Sequence, residues 1–578
     1  MEYILATNFI NLDFSFNDEN SSYTRLGNWV NSNLSSGNSY EDKFRTHSEL
    51  NFIDQETQSI YAEILKTLTE ELNKYDEREF TYEEGMILYG PWLYHMISHY
   101  CYLYRLLKYV KKHNRDAILV CGDTNYEAVF EDTLDHKKNI RYDVYNNHII
   151  KKIASYIGLN LLVDGNHLHS EVSLKYENHE GKLARKIVSK IENIINFRAK
   201  FFLKNSYINK TDRIKIYIKS KGSISTITNR PEKLKVNLNT HSRISLSFNI
   251  KLDKASDFSK LISENIINEI PICYLEGFEQ LTSQVNKNYK SWKPELILSA
   301  NGWYHDEPFK LWAIKQKKNG AKLIGYQHGG VYFTYKNNFY LRHETLVTDY
   351  FFSWGNANED YKNIIPFFMQ KKTLVNSRSI KKINNQIMLL TNNYSKQHHL
   401  LEIFQPTYSS HIEQNCNFLK ELNSSYDVKY RPFRADYGWN EIEEYKNIFP
   451  SLKFSSYKQD ALEEMKGSKV VVFDNIHSTS FLESIVMNIP SIILAKDFKY
   501  EINKNSLAVF KRMQEHNILF DSGKECAKFL NLNYNSIDEW WDSNAVQEII
   551  NDFRRDYAPT CSNFSELFIK EVSKIHTR

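Results

Sequence analysis

The sequence predicts an α/β fold built as two Rossmann-like domains facing a cleft. Three observations predict it. From residue 386 to 495, short apolar runs alternate with helical stretches, the pattern of a doubly wound parallel sheet. A second strand–helix–strand pattern occupies 295–330. The chain has 578 residues, enough for more than one domain of roughly 100–200 residues.

In chain order, ILATNFI (4–10) reads as a first strand, and AILVCG (117–122) and LNLLV (159–163) as two more. RIKIYIKS (213–220) and SRISLSFNI (242–250) alternate apolar and polar residues, which predicts half-buried strands. The Lys-rich stretch between 170 and 210 reads as a helical insertion. ELILSA (295–300) is a strand, PFKLWAIKQKK (308–318) a helix, and KLIGYQHGG (322–330) a strand that ends on glycines. DYFFSWG (349–355) adds one more. Residues 371–384 are basic, polar and weakly patterned, and read as a linker. The N-terminal Rossmann-like domain, with its helical insertions, is therefore 1–370, and the second is 385–545. In the second, strands at 386–391, 427–432, 452–456, 469–474 and 491–495 alternate with helices at 408–422, 439–447, 458–467 and 479–488. Residues 546–578 read as a helical tail returning to the first domain.

Lys plus Arg number 74 and Asp plus Glu 70. A charge this balanced argues against a dedicated nucleic-acid binder, which needs a concentrated basic face. The six cysteines are scattered, with no two at metal-ligand spacing, so a reducing, cytoplasmic compartment is expected. The N-terminus carries no basic leader of a signal peptide. Gly85 to Tyr104 lacks Asp, Glu, Lys and Arg and has the length of a membrane span. It also holds Pro91, His95, His99 and several tyrosines, so it reads as a buried, partly polar helix with Pro91 in its first turn. The run Arg105 to Lys112 reads as a solvated helix face, with peripheral contact to the anionic inner-membrane surface as the alternative.

Four constellations carry chemistry. In VVVFDNIHSTSFLESIV (470–486) a buried strand ends at Asp474, and Ser478, Thr479 and Ser480 open a helix. Hydroxyls and backbone N–H groups at a helix start form a phosphate site, and Glu483 is placed to accept ribose hydroxyls. Plain capping explains the hydroxyls and Glu483, but less well an Asp on the strand end and the Pro490-ended exit into another apolar strand. In KLIGYQHGGVY (322–332), His328 lies at a strand end, positioned for proton transfer. Gly329 and Gly330 let a ligand or a facing loop come close. In SANGWYHDEPFKLW (299–312), Asn301 and His305 are acceptor-side candidates, and Glu307 is either a base or an ordinary acidic helix start. In KYRPFRADYGW (429–439), Arg431 is placed to fork onto a diphosphate or carboxylate. Glu84, ahead of the Gly90-Pro91-Trp92 turn, is a further acid candidate. No phosphate-cradling Gly-rich loop, His-Glu-x-x-His, nucleophile elbow or Asp-x-Asp pair occurs. A metal-independent reaction with no cofactor is expected.

These motifs resemble a known group. Y-Q-H-G-G (326–330) is similar to the His-Gly motif of bacterial surface-polymer transferases, which include CDP-glycerol glycerophosphotransferases and capsule Kdo transferases. Asp474 with F-L-E-S-I-V-M-N-I-P-S-I-I (481–493) resembles their second-domain signature. K-Y-R-P (429–432) resembles their Lys-x-His-Pro element, with Arg431 in place of His. With G-P-W-L-Y-H (90–95), the chain most resembles a family of O-antigen-region transferases, best over about 290–500. The resemblance implies a B-type glycosyltransferase fold with the donor on the second domain. The activity it implies moves a sugar from a nucleotide-activated donor to an oligosaccharide or lipid-linked glycan of a surface polysaccharide. Arg431 favours an acidic donor such as a CMP-linked ulosonic acid, Kdo or a nonulosonic acid. A CDP-polyol phosphotransferase and a non-catalytic carbohydrate-assembly protein are the alternatives.

Overall fold

The computed structural model describes residues 2–7, 22–30, 39–123, 128–167, 196–228, 232–239, 243, 246, 256–289, 292–355, 361–370, 385–392, 395, 397, 408–435 and 439–577. The 371–384 linker, the strand read at 242–250 apart from Arg243 and Leu246, and most of the 170–210 insertion lie outside them.

Three parallel sheets are formed. The first contains β1 (Glu2–Leu5), β2 (Ser22–Arg25), β3 (Ile118–Asp123) and β4 (Asn160–His167) in the order β2-β1-β3-β4. Its helices are α1 (Tyr40–Phe44), α2 (His47–Asp76), α3 (Tyr82–His113), α4 (Thr133–Asn139) and α5 (Asp143–Ile157).

The second sheet contains β5 (Phe201–Lys204), β6 (Ile224–Ile227), β7 (Leu296–Ser299), β8 (Lys322–Tyr326), β9 (Tyr350–Trp354) and β10 (Ile364–Phe367), in the order β10-β9-β8-β7-β5-β6. Here the helices are α6 (Lys210–Lys219), α7 (Asp257–Glu269), α8 (Phe278–Tyr289), α9 (Gly302–His305), α10 (Glu307–Lys318) and α11 (Phe339–Val347).

The third contains β11 (Gln386–Leu390), β12 (Asp427–Arg431), β13 (Lys453–Phe454), β14 (Val470–Phe473), β15 (Ser491–Leu494) and β16 (Leu519–Phe520), in the order β13-β12-β11-β14-β15-β16. That is the Rossmann order, with the reversal of direction between β11 and β14. Helices α12 (Tyr408–Glu421), α13 (Glu441–Ile448), α14 (Ala461–Lys466), α15 (Thr479–Val486), α16 (Leu507–Glu515) and α17 (Gly523–Asn533) accompany it. The chain ends in α18 (Ile537–Trp541), α19 (Asn544–Tyr557) and α20 (Phe564–Thr577). The second and third sheets are Rossmann-like and present their carboxyl ends to one another, as the sequence predicts, but residues 1–370 form two sheets where the sequence reading expects a single Rossmann-like domain.

Packing explains how α3 holds the N-terminal part together. Every residue from Glu84 to Tyr104 is buried. Trp92, Ile97 and Leu103 share one core with Leu119 of the first sheet, Phe202 of the second and Trp312 of α10. The polar residues of this stretch are therefore interior to protein, and no helix among the described residues is long and apolar enough to cross a membrane. Pro91 lies well inside α3 and not in its first turn, because the Thr81–Glu84 capping box starts the helix earlier. An interior proline removes a helical N–H. The carbonyl it leaves without a helical donor is that of Ile87, and Lys310 Nζ donates to the next one, Leu88, at 2.9 Å. In the basic run that follows, Lys108 and Lys112 are exposed, whereas Arg105 pairs with Glu49 and Glu56.

One predicted strand is a helix. RIKIYIKS falls in α6, where the Asn209 side chain caps the Asp212 N–H. Alternation is the strand period, and here the cap and tertiary packing override it. The structure buries Ile216 and leaves Ile214 and Ile218 exposed. The face that Ile216 shares with Asp212 meets α20, where Ser565 Oγ donates to Asp212 Oδ1 at 2.8 Å.

His99, stacked on Tyr145, makes the buried polar character of α3 testable. Burial pushes its ring down to about 3, and neighbouring His95 adds to the shift. The unfolded chain therefore binds a proton below about pH 6.5 that the folded chain refuses. The ring's contribution to stability is full above that value and is lost as the pH falls toward 3. His99→Phe removes this linkage. The melting-temperature difference between His99→Phe and the parent should shift in the variant's favour from pH 7 to pH 5, at about 1.4 kcal/mol per pH unit below 6.5. A difference constant with pH would show that His99 protonates freely.

Candidate functional site

The site forms where the carboxyl ends of the second and third sheets meet. At the end of β8 the chain leaves the sheet through Gln327, whose backbone N–H still donates to the Phe352 carbonyl at 2.9 Å. The buried Gln327 amide fixes the departing loop: its oxygen accepts from Trp354 N at 2.7 Å and its nitrogen donates to Gly329 O at 3.0 Å. His328 follows, half-buried. Tyr207 stacks on its ring at 5.5 Å and 6°. Asn301 Nδ2 in turn donates to Tyr207 Oη at 2.8 Å. Tyr332 Oη lies 2.7 Å from His328 Nδ1 and donates to Glu344 Oε2 at 2.9 Å. Burial pushes the His328 ring down to about 4, helped by neighbouring His305 and opposed by the Tyr326 and Ala300 carbonyls. The ring is neutral near pH 7.

The glycines after His328 carry the contact between the sheets. Gly330 N donates to Thr479 Oγ1 at 3.1 Å. A Cβ on Gly330 would lie 3.1 Å from the His477 carbonyl oxygen and 3.3 Å from Leu482 Cδ1, so this approach leaves a side chain little room. The loop stays in contact beyond it. Tyr335 bridges Ile502, Lys336 N donates to Glu501 O, and His477 Nε2 sits 3.0 Å from Glu501 Oε2 under the Tyr335 ring.

On the third sheet, Asp474 closes β14 beside the order reversal. Its Oδ1 accepts from Asn392 N at 3.0 Å and Asn475 Nδ2 at 2.8 Å, and its Oδ2 lies 3.4 Å from His411 Nε2. Burial pushes this carboxyl up and His411 pulls it down. Asp474 thus ties β11, β14 and α12 together at the crevice floor. Ser478 is the N-cap residue of α15, but its side chain caps no N–H. Thr479 is turned to Gly330, and Glu483 is buried on the second turn.

Three predicted site residues are placed elsewhere. Glu307 does not reach His328. Asp306 caps α10, and Glu307 is buried against Lys310 Nζ at 2.6 Å and Tyr274 Oη at 2.7 Å. Glu84 closes the capping box of α3 and lies 3.4 Å from Lys318 Nζ. Arg431 meets Glu464 Oε2 at 2.8 Å and donates to Ser455 Oγ at 2.8 Å. The structure brings together His328, Asn301, His305, Gly329, Gly330, Ser478 and Thr479. It adds Tyr207, Gln327, Tyr332 and Glu344, which the sequence reading missed. Among the described residues, no group of three or more His, Cys, Asp or Glu is arranged to hold a metal ion.

No curated protein matches the chain significantly. Among solved structures, a UDP complex of S. aureus MnaA is 12% identical, with a TM-score of 0.36 over 65% of this chain and 96% of that one. An S. aureus TarM mutant in complex with fondaparinux, alpha-GlcNAc-glycerol and UDP is 12% identical, with a TM-score of 0.33 over 49% of this chain and 55% of that one. A UDP-forming alpha,alpha-trehalose-phosphate synthase from Burkholderia xenovorans is 10% identical, with a TM-score of 0.37 over 66% of this chain and 100% of that one. The profile of the LIC12162 family transferases matches residues 14–572, nearly the whole sequence, and the chain belongs to that family.

Proposed function

We propose that the protein is a glycosyltransferase that moves a sugar from a nucleotide-activated donor to a glycan acceptor. The acceptor class proposed is an oligosaccharide or lipid-linked glycan of surface-polysaccharide assembly. One observation carries the reading: the His328-Gly329-Gly330 loop of one Rossmann-like sheet touches the N-terminus of α15 on the other. A helix N-terminus offers N–H groups and a positive dipole end to a diphosphate. A neutral imidazole beside it suits the acceptor hydroxyl. The sequence also pointed to an acidic, CMP-linked donor sugar held by Arg431. Glu464 already supplies Arg431 with a carboxylate, so the proposal stops at the nucleotide sugar.

The test is thermal stabilisation by CMP, CDP, UDP and GDP. A nucleotide at 100 times its Kd adds about 2.7 kcal/mol to stability. The nucleotide that stabilises the parent should bind at least about tenfold more weakly, or about 1.4 kcal/mol, once Ser478→Ala and Thr479→Ala are combined. Unchanged affinity would remove α15 from the donor site, and stabilisation by none of the four would remove the nucleotide.

A further inference from the structure

We propose that Glu344 and Tyr332 are positioning residues that set, through one shared hydroxyl, which nitrogen of His328 carries its proton, and that Glu344 is where the acceptor's proton comes to rest. The proposal rests on the glycosyl-transfer reading of the site.

The geometry is a chain of three side chains. Tyr332 Oη lies 2.7 Å from His328 Nδ1 and 2.9 Å from Glu344 Oε2. Glu344 is completely buried, while Leu346 on the same helix is 67% exposed. This reverses ordinary amphipathic sorting, since a glutamate is almost never fully buried without a charged partner. Glu344 Oε2 has Tyr332, and Oε1 has no hydrogen-bond partner. The other titratable groups around the pair are Tyr207 before α6, His305 on α9 and Tyr340 on α11. Among the described residues, no ammonium or guanidinium holds the carboxylate ionised.

A tyrosine has one proton to give. When Glu344 is protonated, it donates to Tyr332, Tyr332 donates to His328 Nδ1, and Nε2 carries the ring hydrogen. When Glu344 is ionised, Tyr332 donates to it, Nδ1–H donates to Tyr332, and Nε2 presents a lone pair. Only this second form accepts a proton from substrate. In the reaction the acceptor O–H bond breaks and an Nε2–H bond forms. The Nδ1 proton passes to Tyr332 Oη as the phenol's own proton passes to Glu344 Oε2. The electron pair left on the acceptor oxygen forms the glycosidic bond, and the nucleotide leaves with the pair of the bond that breaks. Burial supports the direction of transfer. It pushes the Glu344 carboxyl well above the usual range, against the pull of Tyr332, and holds the His328 ring down to about 4, against the pull of the Tyr326 and Ala300 carbonyls.

The experiment compares the parent with Glu344→Gln and Tyr332→Phe in two readouts across pH 5–9. One is turnover. The other needs no substrate: the rate of diethyl pyrocarbonate modification at His328, read from the mass of its peptide. In the parent both should rise with pH along one limb, as Glu344 loses its proton and Nε2 gains its lone pair. In both variants that limb should disappear, with plateau turnover down on the order of 10-fold or more. Retention of the limb at the same pH in both variants would overturn the proposal. If Glu344→Gln does not fold, Tyr332→Phe decides alone, because it keeps the ring that stacks on Phe351. If the parent turns over no nucleotide sugar yet shows the modification limb, the glycosyl-transfer reading fails and the relay stands.

Discussion

His328→Ala is expected to lower turnover by roughly 10²- to 10⁴-fold and to leave the affinity for free nucleotide within a few-fold. The ring sits at the carboxyl end of a parallel strand, half-buried, with Tyr207 on its face and Tyr332 at Nδ1. Neither neighbour is removed by the substitution, so the pocket keeps its walls while losing the imidazole on which Tyr207, the partner of Asn301, is stacked. The proposed nucleotide end lies on α15, on the other sheet, and its N-terminal groups do not pass through the imidazole. That separation predicts a loss in turnover with little loss in binding. His328→Asn divides two roles. An amide can replace one hydrogen bond but cannot accept a proton near neutral pH, so it should be nearly as slow as Ala. Near-normal turnover in the Asn variant would make His328 a hydrogen-bonding residue. Loss of nucleotide binding in the Ala variant would place His328 at the phosphates and reverse the proposed roles of the two sheets.

Some of this site was legible because local pattern and tertiary placement agree. An apolar run followed by His-Gly-Gly must leave a sheet at its carboxyl end, and Gly330 does come within a Cβ radius of the facing helix. The same holds for the strand ending at Asp474 and the hydroxyls after it. The partners of His328 were not legible, because burial created them. Glu344 lies in a nine-residue helix beside an exposed leucine, and a glutamate in such a helix ordinarily reads as solvated. Tyr332 is one of 38 tyrosines, and nothing in its neighbours marks it. β5 contradicts the reading of 170–210 as a helical insertion, since Phe201–Lys204 closes that Lys-rich stretch as a strand, and β6 escaped notice because Ser225 and Thr226 interrupt its apolar run. Glu307 and Arg431 show the opposite failure. Their residue types suit chemistry, and in both cases an oppositely charged side chain in the fold already uses them.

Glu307→Ala should therefore be a stability variant and not a catalytic one. Glu307 Oε2 is 2.6 Å from Lys310 Nζ, with both side chains buried, and Tyr274 donates to the same oxygen. Truncating Glu307 leaves an ammonium with only the Leu88 carbonyl and the Tyr274 hydroxyl around it. Removing one partner of such a buried pair costs about 3–5 kcal/mol, because the remaining charge is uncompensated. Replacing the whole pair by apolar groups of similar volume is often close to neutral. Glu307→Leu combined with Lys310→Met should accordingly recover most of the melting temperature that Glu307→Ala loses. The Tyr274 hydroxyl keeps the Leu88 carbonyl at 2.8 Å and Thr133 Oγ1 at 2.8 Å as partners, so no buried polar group of this cluster need be left unmet in the double variant. Measured well below the melting transition, turnover per folded molecule should stay within a few-fold of the parent in the double variant. A double variant that is stable, binds nucleotide normally and has lost turnover 100-fold or more would make Glu307 the base. The proton path from His328 through Tyr332 to Glu344 would then be wrong.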